Sequence, residues 1–315
     1  LVLRVAAVGC GRWGKNIVRV LRELHGEGLI ELTAVVDRDY MRAKAVAAEF
    51  GVEEVFDDPD KLIDRGIDAV TVAVPINKLA DLAELFISSG IHTFIEKPVS
   101  TEPEVVARLR SLAQSRGIVA VPGFIMRFNP AVQELKKLIR DVGDVRYIVF
   151  KRLSRRPSHF REFPIVYDLM IHDIDLMSYF FGRCSYSHLL TEALKIAEDL
   201  MVVSLVRCDG ALTLFHTDGI APAKVREIDI VSDRAYLRAD TETLKVIVKT
   251  ATESDVKIVK GEEPLKAELR AFIMKVAGKD LESSPSLDDA YRAIELAKEI
   301  NSSVEKQTLH YSLNN

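Results

Sequence analysis

The stretch VGCGRWG, Val8 to Gly14, decides the fold. It closes a short β-branched run, LRVAAVG (Leu3 to Gly9), and opens GKNIVRVLREL (Gly14 to Leu24), where Ile17, Val20, Leu21 and Leu24 recur at helical spacing. Gly9, Gly11 and Gly14 fit G-x-G-x-x-G, a pattern that carries a mechanism when it lies between a strand and a helix. The first glycine permits the tight turn, the second lets backbone approach a pyrophosphate, and the third lets helix pack on strand. The unsatisfied N–H groups and the dipole of the new helix then face the phosphate charge.

Outward from this loop, strand-like and helix-like stretches alternate. ELTAVVD (Glu31 to Asp37), DAVTVAVP (Asp68 to Pro75), HTFIEKP (His92 to Pro98) and IVAVPGF (Ile118 to Phe124) read as strands, with helical stretches between them. Continuous apolar runs such as DAVTVAVP suit strands buried on both faces, as a parallel sheet requires. The rhythm changes after Phe124. A helix near Pro130 to Arg140, the strand DVRYIVFKR and a helical YDLMIHDIDLMSYFFG precede a succession of short β-rich runs from DLMVVSLVRCD to SDVKIVK, and two helices close the chain. The expected architecture is an α/β Rossmann domain with a doubly wound parallel sheet over residues 1–122. An α+β domain with an open, mostly antiparallel sheet follows over 123–315. The length of 315 residues fits two domains at about 150 residues each.

Hydrophobic residues make up 48% and charged residues 29%, with a formal charge of −4, which suits a soluble globular protein without general affinity for nucleic acid. No apolar run approaches the roughly 20 residues of a membrane helix. The opening LVLRVAAVGCGRWG lacks a basic leader and reads as a buried first strand rather than a secretory signal. Cys10, Cys184 and Cys208 form an odd set without metal-like or redox-like spacing, so they are expected to be inert packing residues of a cytoplasmic protein.

Asp37 ends the second strand, where a carboxylate can accept both hydroxyls of an adenine ribose and repel a 2′-phosphate. NAD is thereby favoured over NADP, although Arg38 or Arg42 could offset that repulsion. Glu96-Lys97-Pro98 lies at the carboxyl end of another parallel strand, the edge at which such sheets bind ligands. Residues expected to line the dinucleotide are Gly9, Gly11, Arg12, Trp13, Gly14, Asp37, Arg38, Val74, Pro75, Glu96 and Lys97, with Trp13 bordering the cleft.

In the second domain Asp168, His172, Asp175 and Tyr179 fall at i, i+4, i+7 and i+11, a polar stripe on an otherwise apolar helix. Oxidising a secondary alcohol with NAD needs a base for the hydroxyl proton and a cation beside the developing alkoxide. The expected roles are His172 as base, Asp168 as its orienting group and Lys97 as cation. A divalent metal held by Asp168, His172, Asp173 and Asp175 is the rival arrangement, but such sites usually gather several histidines and the seven here are scattered, so no metal is expected. A second rival is a non-catalytic NAD-binding regulator, which would have no need of an acid/base set.

The glycine loop, Asp37, Glu96-Lys97-Pro98, GFIMRFNP (Gly123 to Pro130) and the Asp168/His172 pair, in this order, resemble the glucose-fructose oxidoreductase and inositol dehydrogenase family over nearly the whole chain. The resemblance implies Lys97, Asp168 and His172 as the catalytic group, and homodimers or homotetramers formed through the C-terminal sheet. It also implies a sugar or polyol substrate such as inositol. Leu79 departs from it, because many members carry histidine there. GRWGKN (Gly11 to Asn16) and YDLMIHDIDL (Tyr167 to Leu176) look more like members that oxidise C3 of UDP-N-acetylglucosamine or its uronate. On that likeness Arg127, Arg155 and Arg156 join Asp168 and His172 as expected substrate contacts, and Lys151 and Arg152 lie near enough in sequence to add charge facing a diphosphate.

Overall fold

The computed structural model describes residues 2–158, 161–182, 184–196 and 199–313, with side chains through residue 308. It divides into two compact units, Leu1–Ile125 with Glu263–Tyr291, and Met126–Glu262 with Arg292–Asn315.

The first unit is built on a parallel sheet. Its order is β3 (Glu54–Phe56), β2 (Ile30–Val36), β1 (Leu3–Val8), β4 (Ala69–Val72), β5 (His92–Ile95), β6 (Ala120–Pro122). The order reverses between β1 and β4, and the carboxyl ends of strands flanking such a reversal form the ligand crevice of this sheet type. Helix α1 (Arg12–Gly26) buries Ile17, Val18, Val20, Leu21 and Leu24 completely, as the sequence periodicity requires. The strand β3 escaped the sequence reading because its three half-buried residues are too few to show a period.

The expected boundary at residue 122 gives only part of this unit. Helix α7 (Pro264–Val276) returns to it from the far end of the chain. Leu265, Leu269, Phe272 and Ile273 of α7 share a core with Val5, Ile17 and Leu24, and the Phe272 ring packs against Phe94 at 5.9 Å between centroids. Lys266 bridges Glu23 and Glu27 of the α1 end at 2.9 Å each, along the rim of that contact. An apolar helix face in sequence does not say which surface will cover it.

The second unit holds an eight-stranded sheet of order β14 (Ser254–Ile258), β13 (Lys245–Lys249), β12 (Tyr236–Asp240), β11 (Val225–Ser232), β7 (Val145–Leu153), β10 (Ala211–Asp218), β9 (Asp199–Cys208), β8 (Tyr186–Ile196). Only the β7–β10 pair is parallel. One face buries Ile148, Phe150, Phe215, Ile228 and Ile230, with Phe150 stacked at 6.4 Å on Phe180 of helix α6 (Ile171–Phe181). Strand β8 was absent from the sequence reading. It is an edge strand leaving Leu189, Leu190, Leu194 and Ile196 exposed, and its Thr191-Glu192-Ala193-Leu194-Lys195 run is as compatible with helix; pairing with β9 decides its state.

The cysteines correct one expectation. Cys184 and Cys208 are joined in a disulfide, and only Cys10 is free among the described residues. Their separation of 24 residues hid the pairing, which arises because the β8–β9 hairpin brings Cys208 back beside the segment that follows α6. Unpaired thiols therefore give no argument about the redox compartment. Cys10 is the inert packing residue expected: burial, reinforced by the nearby Asp37 charge, pushes its thiol up to about 12.

Candidate active site

In the first unit the glycine loop is built by close approach. Gly9 has φ +99°, and a Cβ there would overlap the carbonyl oxygen of Ala73 at the end of β4; a Cβ on Gly14 would overlap the Gly9 carbonyl oxygen. Gly11, by contrast, faces open space, and as N-cap of α1 it offers no side-chain acceptor to the first-turn N–H groups. Those donors can serve an anion, so these residues fit the pyrophosphate of a dinucleotide.

Asp37 is buried beside this loop. Its Oδ2 accepts from the Cys10 backbone N–H at 2.7 Å and its Oδ1 from the Asp39 N–H at 2.9 Å. A carboxylate has about four lone-pair sites, which leaves capacity for ribose hydroxyls. Arg42 approaches Oδ1 at 3.4 Å, while Arg12 and Arg38 are exposed.

Glu96 links the loop to the second motif. It is 8% exposed at the end of β5; its Oε1 accepts from the Trp13 indole Nε1–H at 2.6 Å and its Oε2 from the Lys97 backbone N–H at 3.1 Å. Gly123 makes room for it, since a Cβ there would stand 3.2 Å from Glu96 Oε2 and 3.1 Å from the Phe94 ring. Lys97 is half-buried and precedes Pro98 through a cis peptide bond; the two Glu96 bonds fasten its backbone to the glycine loop. Val74 is half-buried, and Pro75 is exposed at the start of helix α3 (Ile76–Ser88). Leu79, where the resemblance would put histidine, is 2% exposed and lies in the core.

Burial pushes the Glu96 carboxyl upward, against the opposing pull of the Trp13 bond and the Lys97 charge. The folded chain therefore holds that proton to a higher pH than the unfolded chain. Stability contributed at this site falls as pH rises from the usual glutamate range, about 4.3, through the folded-state pKa. Trp13 is the sole tryptophan, so its emission reports on this bond. Wild-type emission is expected to titrate above the usual glutamate range and Glu96→Gln to flatten that titration; identical curves for the two proteins would remove the coupling.

In the second unit the expected polar stripe is bent at its start. Val166–Met170 forms a π-helical turn, closed by the Ile171 N–H on the Val166 carbonyl, before α6 begins. A π turn spaces its bonds at i→i+5, so Asp168 is rotated from the place a regular helix would give it, and such turns often mark functional sites. Asp168 keeps a 17% exposed side chain and lies 3.4 Å from Nη1 of Arg156.

Most of the expected substrate-binding arginines are held within this unit. Arg127, 4% exposed, grips Asp175, 1% exposed, through bonds of 2.6, 2.9 and 3.1 Å, and lies over the Tyr179 ring. Arg152 grips the buried Asp173 at 2.6 and 2.8 Å, and Lys151 pairs with Asp229 at 2.9 Å. Arg156 is buried against Asp199 and donates to the Phe163 carbonyl at 2.9 Å. Arg127 and Arg156 are thus held in buried ion pairs, and of the three arginines expected to meet substrate Arg155 is the exposed one. Asp199, unremarked in the sequence because nothing in spacing relates it to Arg156, completes the set. Asp173 and Asp175 fix α6 through Arg152 and Arg127, and His172 stands in the turn they pin. With both carboxylates gripped by guanidinium groups, the metal arrangement loses two of its four donors. Among the described residues, no three His, Cys, Asp or Glu side chains converge as a metal centre.

Residues 3–124 match the model of an oxidoreductase family with an NAD-binding Rossmann fold, the glucose-fructose oxidoreductase, inositol dehydrogenase and MocA family. The chain is 31% identical over 177 residues to the UDP-N-acetylglucosamine 3-dehydrogenase of Acidithiobacillus ferrooxidans, covering 55% of this chain and 53% of that protein. It is also 31% identical over 192 residues to the scyllo-inositol 2-dehydrogenase (NAD(+)) of Bacillus subtilis, covering 57% and 54%. In sequence the chain thus spans about half the length of these curated relatives. In structure it resembles the Acidithiobacillus enzyme with a TM-score of 0.87 at 23% identity, over 97% of this chain and 99% of that one. An Agrobacterium radiobacter oxidoreductase solved with NAD+, L-tartaric acid and magnesium aligns with a TM-score of 0.85 at 18% identity, over 97% of each chain. These likenesses establish the two-sheet fold. Among the described residues no helix is long and apolar enough to cross a membrane.

Proposed function

We propose that this chain is an NAD-dependent dehydrogenase that oxidises a secondary hydroxyl of a sugar or nucleotide sugar, with C3 of a UDP-N-acetylglucosamine-type substrate as the best-supported position. The observation that carries it is the Trp13–Glu96–Lys97 connection, which fastens a lysine to the glycine loop at the carboxyl edge of the parallel sheet. Bound NAD supplies the hydride acceptor. His172 takes the hydroxyl proton, Asp168 orients His172, and the Lys97 ammonium stabilises the alkoxide that forms as the C–H bond gives up its hydride. The names of the two curated relatives support a sugar derivative and a polyol equally in sequence identity; the local GRWGKN and YDLMIHDIDL likenesses favour the nucleotide sugar.

We also propose assembly into a homodimer or homotetramer through the face of the second sheet opposite α6. There Leu190, Leu205, Leu214 and Val149 fall side by side in register, and Leu190 is 53% and neighbouring Tyr147 43% exposed.

A screen of sugars, polyols and nucleotide sugars against NAD and NADP, followed by absorbance of the reduced cofactor, tests the dehydrogenase reading. Turnover fastest on UDP-N-acetylglucosamine supports it as stated. Fastest turnover on inositol transfers the assignment to a polyol, and NAD binding without turnover on any compound leaves the regulator reading in its place.

A further inference from the structure

Three arginines of the second unit, Arg127, Arg152 and Arg156, each present the edge formed by Nε and Nη2 to a buried carboxylate. A fourth does not. Arg226 of β11 stands opposite Arg152 in the β7–β11 ladder and so projects on the same face of the sheet. Its Nη1 donates to the carbonyls of Leu153 at 2.6 Å and Val225 at 2.9 Å, and its Nη2 to the Ser154 hydroxyl at 2.9 Å. Every one of these acceptors is neutral, and Nε has no protein acceptor among the described residues.

A guanidinium carries five donors and does not give up its proton in a protein. Here it is half-buried and faces a second cation, and burial followed by repulsion from Arg152 pushes it down to about 10. The carboxylates that face it are engaged elsewhere: Asp173 with Arg152, Asp168 with Arg156, and Glu242 with Lys224. A partly desolvated cation with neutral partners is costly unless an anion joins it. The next residue after Ser154 is Arg155, the one exposed arginine of the turn after β7.

We propose that Arg226, with Ser154 and Arg155, binds an oxyanion carried by the substrate, a phosphate or a carboxylate, so that this chain acts on an anionic sugar derivative rather than a neutral polyol. The proposal rests on the dehydrogenase reading only for the sugar portion of the ligand. The Nε–Nη2 edge suits both oxyanions, because each offers two oxygens at the spacing of that fork.

Calorimetric titration of the full chain saturated with NAD tests this with three probes: UDP for a phosphate, glucuronate for a carboxylate, and myo-inositol as neutral control. Wild type is expected to bind one of the two anions, more weakly as salt is raised, with Arg226→Gln at least tenfold weaker and Arg226→Lys intermediate. Which anion binds identifies the group. If Arg226→Gln is misfolded by circular dichroism, Arg155→Gln carries the test with an expected loss of threefold or more. Anion binding no tighter than inositol, or wild-type affinity in the folded variants, overturns the site. Because binding is read without turnover, a chain that binds the anion and oxidises no sugar contradicts the dehydrogenase reading alone. Inositol oxidised at the wild-type rate by Arg226→Gln contradicts the anion site alone.

Discussion

Replacing His172 by glutamine is expected to lower kcat by roughly 10²- to 10⁴-fold, the usual worth of a positioned general base, while NAD affinity stays within about twofold. The asymmetry follows from where the residue sits. His172 belongs to the second unit and to a turn pinned by the Asp173–Arg152 and Asp175–Arg127 pairs, whereas the glycine loop, Asp37 and Glu96, which the proposed function assigns to the dinucleotide, lie in the first. Lys97→Met should give a loss of the same order, since it removes the cation beside the alkoxide while leaving the backbone N–H that Glu96 accepts. Steady-state kinetics with NAD binding followed separately distinguishes the outcomes. Turnover within tenfold of wild type for both variants would remove His172 and Lys97 from the chemistry.

The second large effect concerns stability. Arg127→Met is expected to cost about 3–5 kcal/mol, because it takes the guanidinium from a carboxylate that stays buried. The pair is shielded from water, with 4% and 1% of the two side chains exposed, so solvent cannot replace the lost partner. Removing both charges should be far milder. Arg127→Met with Asp175→Leu substitutes apolar volume for the ion pair and is expected to recover most of the loss, giving strong non-additivity in a double-mutant cycle. Urea unfolding measures it; a loss below about 1 kcal/mol in the single variant would show that the site relaxes to admit water.

Much of the first unit was legible in sequence because its signals are local. A strand, a glycine turn and a helix within Leu3 to Leu24 state a βα unit without reference to anything distant, and the apolar runs of β4 and β5 follow from burial on both faces. Asp37 and Glu96 were recognisable by their places at strand ends. Their partners were not: the Cys10 N–H on Asp37 and the Trp13 indole on Glu96 span 27 and 83 residues of chain. In the second unit the helix carrying His172 was found from its apolar period, but the π turn that displaces Asp168 leaves no periodic trace. The arginines looked like a basic surface because sequence shows the charge and not the carboxylate across the sheet.

The sequence by itself determined the glycine loop and the succession of βα units, since each depends on a few adjacent residues and their intrinsic geometry. Tertiary structure alone decided which charges meet an opposite charge and which meet neutral acceptors. It closed Arg127, Arg152 and Arg156 onto carboxylates, paired Cys184 with Cys208, returned α7 to the first core and left Arg226 among neutral acceptors. The reason is physical: the cost of a buried charge is set by what faces it through space, and the chain order holds no record of that distance.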